Sequence, residues 1–182
     1  MIPRADAAYQ SCYCEENVYK LIESAKTRDG VYAVFISNDC QMVPLWCQKS
    51  AKDPSGFVVW DYHVIAIHKK RGGTKVYDLD STLPWGVDFE IYWRNTMKES
   101  NHYEDNVQRK FRVIPADVYL NLLSSDRSHM KNISGEFIKP PPDWPIINSH
   151  IPSNLMTLIR MSETVDMTTV MDEKEMSDFF ST

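Results

Sequence analysis

The stretch "FVVWDYHVIAIHKKRGGTKVYDLD", residues 57–80, predicts a β-hairpin. Residues 57–70 are rich in the β-branched and aromatic side chains that favour strands, and residues 74–80 continue the pattern after a turn. The glycine pair between them is typical of a hairpin turn. Because side chains alternate between the two faces of a strand, the register of this hairpin decides which of its polar residues lie together.

Outside the hairpin, the sequence predicts an α+β fold in which an N-terminal helix packs against a mainly antiparallel sheet. Apolar side chains at Val18, Leu21, Ile22 and Ala25 are spaced as one face of a helix over residues 14–27. In other segments the spacing of apolar side chains also fits a strand or a helix. Strands are predicted at residues 31–37, 42–46 and 108–116, and helices at residues 89–100, 117–126 and 170–180.

Residues 124–150 predict an ordered but irregular loop. Periodic signals are few there, and the three consecutive prolines Pro140, Pro141 and Pro142 favour polyproline II. The chain of 182 residues has the length of one domain, and no internal repeat divides it. We therefore expect a single domain over residues 1–182.

Composition argues against several classes of partner. The net charge is −5, without a basic stripe, so we expect no nucleic acid. No apolar run approaches the roughly 20 residues that span a bilayer, so we expect no membrane. The N-terminal residues lack the apolar core of a signal peptide, which predicts a cytoplasmic protein that can also reach the nucleus. In that compartment the cysteines are expected to be thiols. They are Cys12, Cys14, Cys40 and Cys47.

Cys14 is the first candidate for chemistry, because it lies where the N-terminal helix is predicted to begin. Free backbone N–H groups and the positive end of the helix dipole favour a thiolate there, and could also bind an oxyanion. The alternative is that Cys14 is a small buried hydrophobic residue, as most free cysteines are. Cys12 precedes the helix and is the weaker candidate. A catalytic cysteine also needs a base.

Two histidines of the hairpin could supply the base. His63 and His68 are five residues apart, so they face opposite sides of a strand. His63 lies mid-strand among aromatic residues, where an imidazole needs a partner. His68 approaches the turn and a basic cluster, which predicts a solvated side chain. The remaining histidines, His102, His129 and His150, lie in polar contexts typical of loops.

The acid that orients the base depends on the register. A four-residue loop over residues 70–73 places His63 opposite Asp80, with Asp78 one diagonal step away on the same face. A two-residue loop at the glycines keeps this parity, whereas a three-residue loop breaks it. Geometry does not choose between the two carboxylates, and both could be turn formers at a strand end. Cys, His and Asp in this order follow the logic of a papain- or transglutaminase-like site.

Two other classes of protein also fit parts of the sequence. The four cysteines could hold zinc in a structural module, although "CYC" (12–14) lacks the usual spacing of zinc ligands. Alternatively, "KPPPDWP" (139–145) could present a polyproline segment to a Pro-binding partner. Within enzymes, a thiol protease or a transglutaminase-like acyl transferase would use the same three residues.

Several motifs together closely resemble the protein N-terminal glutamine amidohydrolase family. They occur in the family's order and spacing over about residues 9–145, and the similarity becomes weak in the C-terminal part, about 146–182. The motifs are "SCYCEENVYKL", "YAVFIS", "MVPLW", "VVWDYHV", "VYDLD", "RKFRVI", "SDRSHMK" and "PPPDWP". Carried over by position, the resemblance implies Cys14 as nucleophile, His63 as base and Asp78 as acid.

The resemblance also implies a function. Such enzymes convert the N-terminal glutamine of a protein to glutamate and release ammonia, which feeds a degradation pathway that recognises the new N-terminus. It implies no metal and no cofactor, and protein or peptide substrates. We expect a monomer. A free N-terminus carries an α-ammonium group that a carboxylate would bind. The candidates for that contact are Asp80, Glu15 and Glu16.

Overall fold

The computed structural model describes residues 1–98 and 105–181. Within these ranges the chain forms a six-stranded sheet, a separate two-stranded sheet and five α-helices. The strands are β1 (Val31–Ser37), β2 (Val43–Leu45), β3 (Val58–Trp60), β4 (His63–His68), β5 (Lys75–Tyr77), β6 (Val87–Asp88), β7 (Lys110–Pro115) and β8 (Thr169–Met171). The helices are α1 (Cys14–Glu23), α2 (Phe89–Tyr92), α3 (Ala116–Leu122), α4 (Leu155–Ile159) and α5 (Glu173–Phe180). The architecture is therefore mixed α and β, as the sequence predicts.

The larger sheet has the strand order β6-β5-β4-β1-β7-β8, and each neighbouring pair is antiparallel. Alternate residues of its central strand β1 point to opposite faces, as the period of a strand requires. Ala33 and Phe35 pack against a layer that includes α1, α3 and α4. Val34 and Ile36 pack against a layer that includes β2, α2 and α5. Both faces of the sheet are therefore buried. A pocket that includes residues of the sheet can open only at an end of the strands.

The predicted long strand over residues 57–70 is wrong in one respect, because it is broken in the middle. Asp61 accepts a hydrogen bond from the backbone N–H of Tyr62 at 2.9 Å, which replaces ladder pairing at this point. The first half, β3, pairs with β2 in the small sheet, and the second half, β4, pairs with β1 and β5. The break turns Asp61 out of the ladder and leaves it exposed.

Other predicted elements are shorter than their patterns, or continue differently. The N-terminal helix ends at Glu23, and the helix predicted over residues 89–100 becomes a π-helix at Trp93–Met97. The last two residues of that prediction, 99–100, lie outside the described ranges. The C-terminal region contributes a strand that the sequence patterns did not indicate. It is β8, which extends the sheet beside β7.

Residues 124–150 form the expected irregular loop, and Arg127 anchors it to α1. The guanidinium donates to Glu16 Oε1 at 2.9 Å and to Glu16 Oε2 at 2.8 Å. Trp144 Nε1 donates to the same carboxylate at 2.7 Å, and Arg127 also donates to the Trp144 carbonyl. Since the Pro-rich segment is held by these contacts, its tryptophan is used within the chain. This argues against its presentation to a Pro-binding partner.

No helix in the described ranges is both long enough and apolar enough to cross a lipid bilayer.

The anchor of the loop can be tested by removing its cation. Arg127→Met should lower the free energy of unfolding by about 3–5 kcal/mol, because it leaves the buried Glu16 carboxylate without its ion-pair partner. Urea unfolding followed by tryptophan fluorescence measures this difference. Lys174→Met is the control, since it breaks the exposed pair of Lys174 with Asp178 and should not change stability measurably. Equal stabilities of the two variants would contradict the anchoring role.

Candidate active site

Cys14 is the first residue of α1, and the loop before it is fixed to the helix. The side chain of Asn17 accepts from the backbone N–H of Gln10 and donates to its carbonyl, both at 2.8 Å. Asn17 and Tyr13 are fully buried. This clamp sets the point at which the helix begins and places Cys14 in its first turn. Cys12 precedes the helix, as predicted, with a left-handed backbone at φ 69°.

The thiol of Cys14 lies in a setting that does not favour the thiolate, in contrast to the expectation from the helix dipole. Burial raises the pKa of Cys14 well above its usual value, and the charges of Glu15 and Asp80 raise it further. The backbone amide of Val64 opposes this rise. Since Val64 directly follows His63, the same contact brings the start of α1 beside the start of β4. A neutral thiol in this place needs a base to become a nucleophile.

His63 and Asp78 form a buried pair. His63 Nε2 lies 3.0 Å from Asp78 Oδ1, and their side chains are each 1% exposed. Burial alone would lower the pKa of His63, but the charge and hydrogen bond of Asp78 raise it above its usual value. Burial opposes ionisation of Asp78, yet contacts with His63, Tyr92 and the Asp80 amide lower the pKa of Asp78. The carboxylate therefore stays ionised beside the imidazole.

The geometry of this pair assigns separate roles to the two ring nitrogens of His63. An ionised carboxylate only accepts hydrogen bonds, so Nε2 carries the proton that it donates to Asp78. The other nitrogen, Nδ1, is buried and has no hydrogen-bond partner among the described residues. Trp60 stacks on the ring, with centroids 5.4 Å apart and planes 15° apart. The imidazole is thus held by its Nε2 edge and its face, and Nδ1 remains available as a base.

The register of the hairpin explains why Asp78 takes this position. Ala66 pairs with Tyr77 and His68 with Lys75, which is the register that a four-residue loop gives. The same count places Asp80 opposite His63, but the hydrogen bond goes to Asp78, one diagonal step away. Asp78 Oδ1 also accepts from the backbone N–H of Asp80 at 2.9 Å. His68 lies at the other end of β4 and is half-buried, rather than solvated as predicted.

A pocket of about 300 Å³ opens at the start of α1. Its wall contains both thiols of the "CYC" motif together with carboxylates, aromatic residues and part of the loop that Arg127 anchors. The lining residues are Cys12, Cys14, Trp60, Asp61, Tyr62, Asp80, His129, Met130, Ile138 and Lys139. The structure thus brings Cys14 and Asp80 into one pocket, with the His63–Asp78 pair directly behind its wall.

The three carboxylates expected to bind a substrate ammonium differ in how accessible they are. Asp80 lines the pocket and accepts a 2.6 Å hydrogen bond from Tyr9. Glu15 is fully buried, with Oε2 bound to the hydroxyl of Tyr62 at 2.8 Å. Glu16 is also fully buried, and both its oxygens are bound to the loop anchor. Glu16 is therefore the least suited of the three to contact a substrate.

The described residues do not bring the four cysteines together as metal ligands. The group of potential ligands that does converge there is His63, Asp78 and Asp80, with ligand atoms within 4.8 Å of one another. This group is accounted for by the hydrogen bonds of the His63–Asp78 pair. The donor set does not match a zinc module built from Cys12, Cys14, Cys40 and Cys47.

Comparison with known proteins places this chain in a family. The family model described as N-terminal glutamine amidase matches residues 9–180. The chain belongs to the N-terminal glutamine amidase family. It is 60% identical to the protein N-terminal glutamine amidohydrolase of Caenorhabditis elegans, over 100% of both chains. The human protein of the same name is 46% identical, over 81% of this chain and 74% of the human one.

The family model matches more of the C-terminal part of the chain than the quoted motifs cover. The motifs end near residue 145, whereas the N-terminal glutamine amidase model continues to residue 180 and so includes β8 and α5. The Caenorhabditis briggsae relative, also named protein N-terminal glutamine amidohydrolase, is 55% identical over 100% of this chain and 99% of its own. The C-terminal part, about 146–182, is therefore included in the matches to the two Caenorhabditis relatives.

The sequence patterns did not indicate two residues of the pocket, His129 and Asp61. The sequence predicts a polar loop around His129, but this loop folds back over the start of α1 and buries most of the imidazole. Burial lowers the pKa of His129. Asp61 was assigned to an unbroken strand, and only the break before β4 turns it into the pocket. His102, which the sequence also places in a polar loop, lies outside the described ranges.

The buried Glu15 predicts an unusual dependence of stability on pH. Burial raises the pKa of Glu15 from 4.5 to about 7. The folded state therefore binds this proton more tightly than the unfolded state, and stability falls as pH rises from about 4.5 towards 7. Glu15→Gln removes the charge and keeps an acceptor for Tyr62. The free energy of unfolding of Glu15→Gln, relative to that of the wild type, should increase by ~3 kcal/mol as pH rises from about 4.5 to about 7.

Urea unfolding of both proteins between about pH 5 and pH 8 measures the change, because other titrating groups cancel in the difference. Glu90→Gln, the same substitution at an exposed position of α2, is the control. The increase for Glu15→Gln is measured relative to this variant and should exceed any change that the variant shows. A constant difference for Glu15→Gln would show that Glu15 titrates normally.

Proposed function

We propose that this protein hydrolyses the side-chain amide of an N-terminal glutamine in protein or peptide substrates, producing glutamate and ammonia. The observation that carries the proposal is the His63–Asp78 pair, whose Nδ1 is unengaged among the described residues, beside a pocket that contains the helix-start Cys14. The names of the relatives describe the same activity. In this proposal Cys14 is the nucleophile, His63 the base and Asp78 the orienting acid.

The first half of the reaction forms a thioester. His63 Nδ1 takes the proton of the Cys14 thiol as the sulfur attacks the amide carbon, and the carbonyl electrons move to the oxygen. When the tetrahedral intermediate collapses, the carbon–nitrogen bond breaks. The imidazolium gives its proton to the departing nitrogen, which leaves as ammonia. The backbone N–H of Cys14 lies in the first helical turn, where such groups lack intrahelical acceptors, and stabilises the oxyanion.

The second half regenerates the enzyme. His63 Nδ1, now neutral, takes a proton from water as the water oxygen attacks the thioester carbon. The carbon–sulfur bond breaks, the sulfur recovers a proton from the imidazolium, and the product carries a glutamate side chain. Asp78 keeps the proton on Nε2 throughout and stabilises each imidazolium. Both halves of the reaction need the same protonation state of Cys14 and His63. Because that state is lost at low pH and at high pH, the rate should pass through a maximum as pH rises.

The arrangement supports a papain- or transglutaminase-like organisation, which we propose as the finer description of the fold. A helix begins at the nucleophile, the base is the first residue of β4, and the acid directly follows the antiparallel strand β5. The acid binds Nε2, which leaves Nδ1 for the thiol. We also propose that residues 1–182 form one catalytic domain, since β8 completes the sheet that contains His63.

The wider role follows from the product. We propose that the new N-terminal glutamate serves as a degradation signal, as the family resemblance implies, and that the protein works in the cytoplasm and nucleus as a monomer. The enzyme changes one side chain and leaves the peptide chain intact. A protease with the same three residues would cleave the chain, and an acyl transferase would attach an amine in place of water.

Matched substitutions test the catalytic assignment. Cys14→Ser should lower ammonia release from a peptide beginning with glutamine by at least about a thousandfold, because a neutral hydroxyl is a poor nucleophile beside this base. Cys12→Ser should retain most of the activity, although it lines the same pocket. Coupled detection of ammonia gives the rate, and mass spectrometry shows whether the amide nitrogen has been replaced by oxygen.

The histidines of β4 provide the second matched pair for this test. His63→Ala should lose activity like Cys14→Ser, whereas His68→Ala, at the far end of the same strand, should not. Thermal unfolding of each variant shows whether the fold is intact. If folded His63→Ala remained fully active, or if Cys12→Ser and Cys14→Ser were equally impaired, the proposed triad would be wrong.

We also expect the reaction to require a free N-terminus on the substrate. Acetylation of the glutamine peptide should lower kcat/KM by about ten- to a hundredfold, because it removes the cation that a pocket carboxylate binds. An internal glutamine in an otherwise identical peptide should react no faster than the acetylated one. Ammonia release from the three peptides gives the comparison. Equal rates on the free and acetylated peptides would instead indicate a general glutamine amidase.

A further inference from the structure

The pocket contains an accessible carboxylate whose function is not explained by the His63–Asp78 pair. This is Asp61, which lies between β3 and β4 and is exposed at the pocket wall. We propose that Asp61 binds the α-ammonium group of the N-terminal glutamine and thereby selects substrates with a free N-terminus. The inference rests on the proposed amidase function and names the residue that gives it specificity.

The other carboxylates at the site are already engaged or enclosed. Asp80 accepts the hydroxyl of Tyr9 at 2.6 Å, and only 7% of its surface is exposed. Asp78 is bound to His63 and to Tyr92. Glu15 has no exposed surface. In contrast, the hydrogen bond that Asp61 receives within the described part of the chain is from the backbone N–H of Tyr62, which uses one oxygen.

Asp61 is held in place by a hydrogen bond, and its charge acts on several groups of the site. Its hydrogen bond to the Tyr62 amide orients the carboxylate at the point where the chain passes from the small sheet to the large one. Its negative charge acts on the Cys14 thiol, on the His63 imidazole and on His129. A cation bound at Asp61 therefore lies within electrostatic reach of the reacting sulfur and of the base.

A separate observation indicates a ligand with N–H donors at this pocket. His129 Nε2 and Glu15 Oε1 are buried 3.5 Å apart, and neither forms a hydrogen bond within the described residues. Since burial lowers the pKa of His129, its imidazole is neutral and can accept a hydrogen bond. Of these two groups His129 lines the pocket, and its unsatisfied nitrogen together with the exposed Asp61 carboxylate forms a site that suits an ammonium group, which has three donors and no acceptor.

The location also accounts for the selection of termini over internal residues. A glutamine whose amide carbon meets Cys14 places its α-nitrogen farther along the same pocket, and Asp61 lies on that wall together with His129. An acylated nitrogen carries no charge for Asp61 and adds a preceding chain. The wall formed by Met130, Ile138 and Lys139 belongs to the anchored loop and limits the room for that chain.

The test separates the charge of the substrate from its size. Two peptides are compared, one beginning with glutamine and one in which the α-amino group is replaced by hydrogen. The wild type should prefer the first by about ten- to a hundredfold in kcat/KM. Asp61→Asn should reduce this preference to about threefold or less, mainly through a higher KM for the amino peptide. The asparagine oxygen still accepts from the Tyr62 amide, so the backbone should be unchanged.

Asp166→Asn is the matched control, because it makes the same change of charge at an exposed position remote from the pocket. It should keep the full preference. Asp80→Asn should keep most of it. If Asp61→Asn retained the wild-type preference, or if Asp80→Asn alone abolished it, the assignment of Asp61 would be wrong. If the wild type released no ammonia from either peptide, the proposed amidase function itself would fail.

Discussion

The hydrogen bond between His63 Nε2 and Asp78 Oδ1 requires one register of the β4–β5 hairpin, and the rest of the site depends on that register. A slip by one residue would turn one of the two side chains to the opposite face of the sheet. The loop between the strands, with backbone N–H of Gly73 bound to the carbonyl of Lys70, gives the register in which they share a face. The geometry of the proposed His63–Asp78 pair is thus determined by a turn at the other end of the hairpin.

A second constraint joins Cys14 to the pocket wall. Glu16 lies two residues after Cys14 in α1, and its buried carboxylate binds Arg127 and Trp144 of the long loop. The same loop contributes His129 to the pocket. Since a buried ion pair tolerates little displacement of either partner, the start of the helix and the opposite wall are held at a constant separation. The width of the pocket is therefore limited by an ion pair whose residues do not line it.

Local patterns predicted the elements that build the site, but not the ways in which distant segments meet. The helix start and the strand at residues 31–37 follow from spacing alone, whereas the shared face of His63 and Asp78 follows only for a loop of two or four residues. The break at Asp61 was missed because hydrophobic side chains continue across it. Strand β8 was missed because three residues show no period of their own and depend on pairing with β7. His129 was missed because burial of a loop is a tertiary property.

The left-handed backbone at Cys12 has a practical consequence for thiol chemistry. It turns the chain before α1 so that Cys12 lines the same pocket as Cys14. Any alkylating reagent small enough to enter therefore meets two thiols, and protection by a bound peptide would shield both. Trypsin does not separate them, since no lysine or arginine lies between Arg4 and Lys20. Fragmentation of that peptide in the mass spectrometer, between the two cysteines, is needed to identify the modified sulfur.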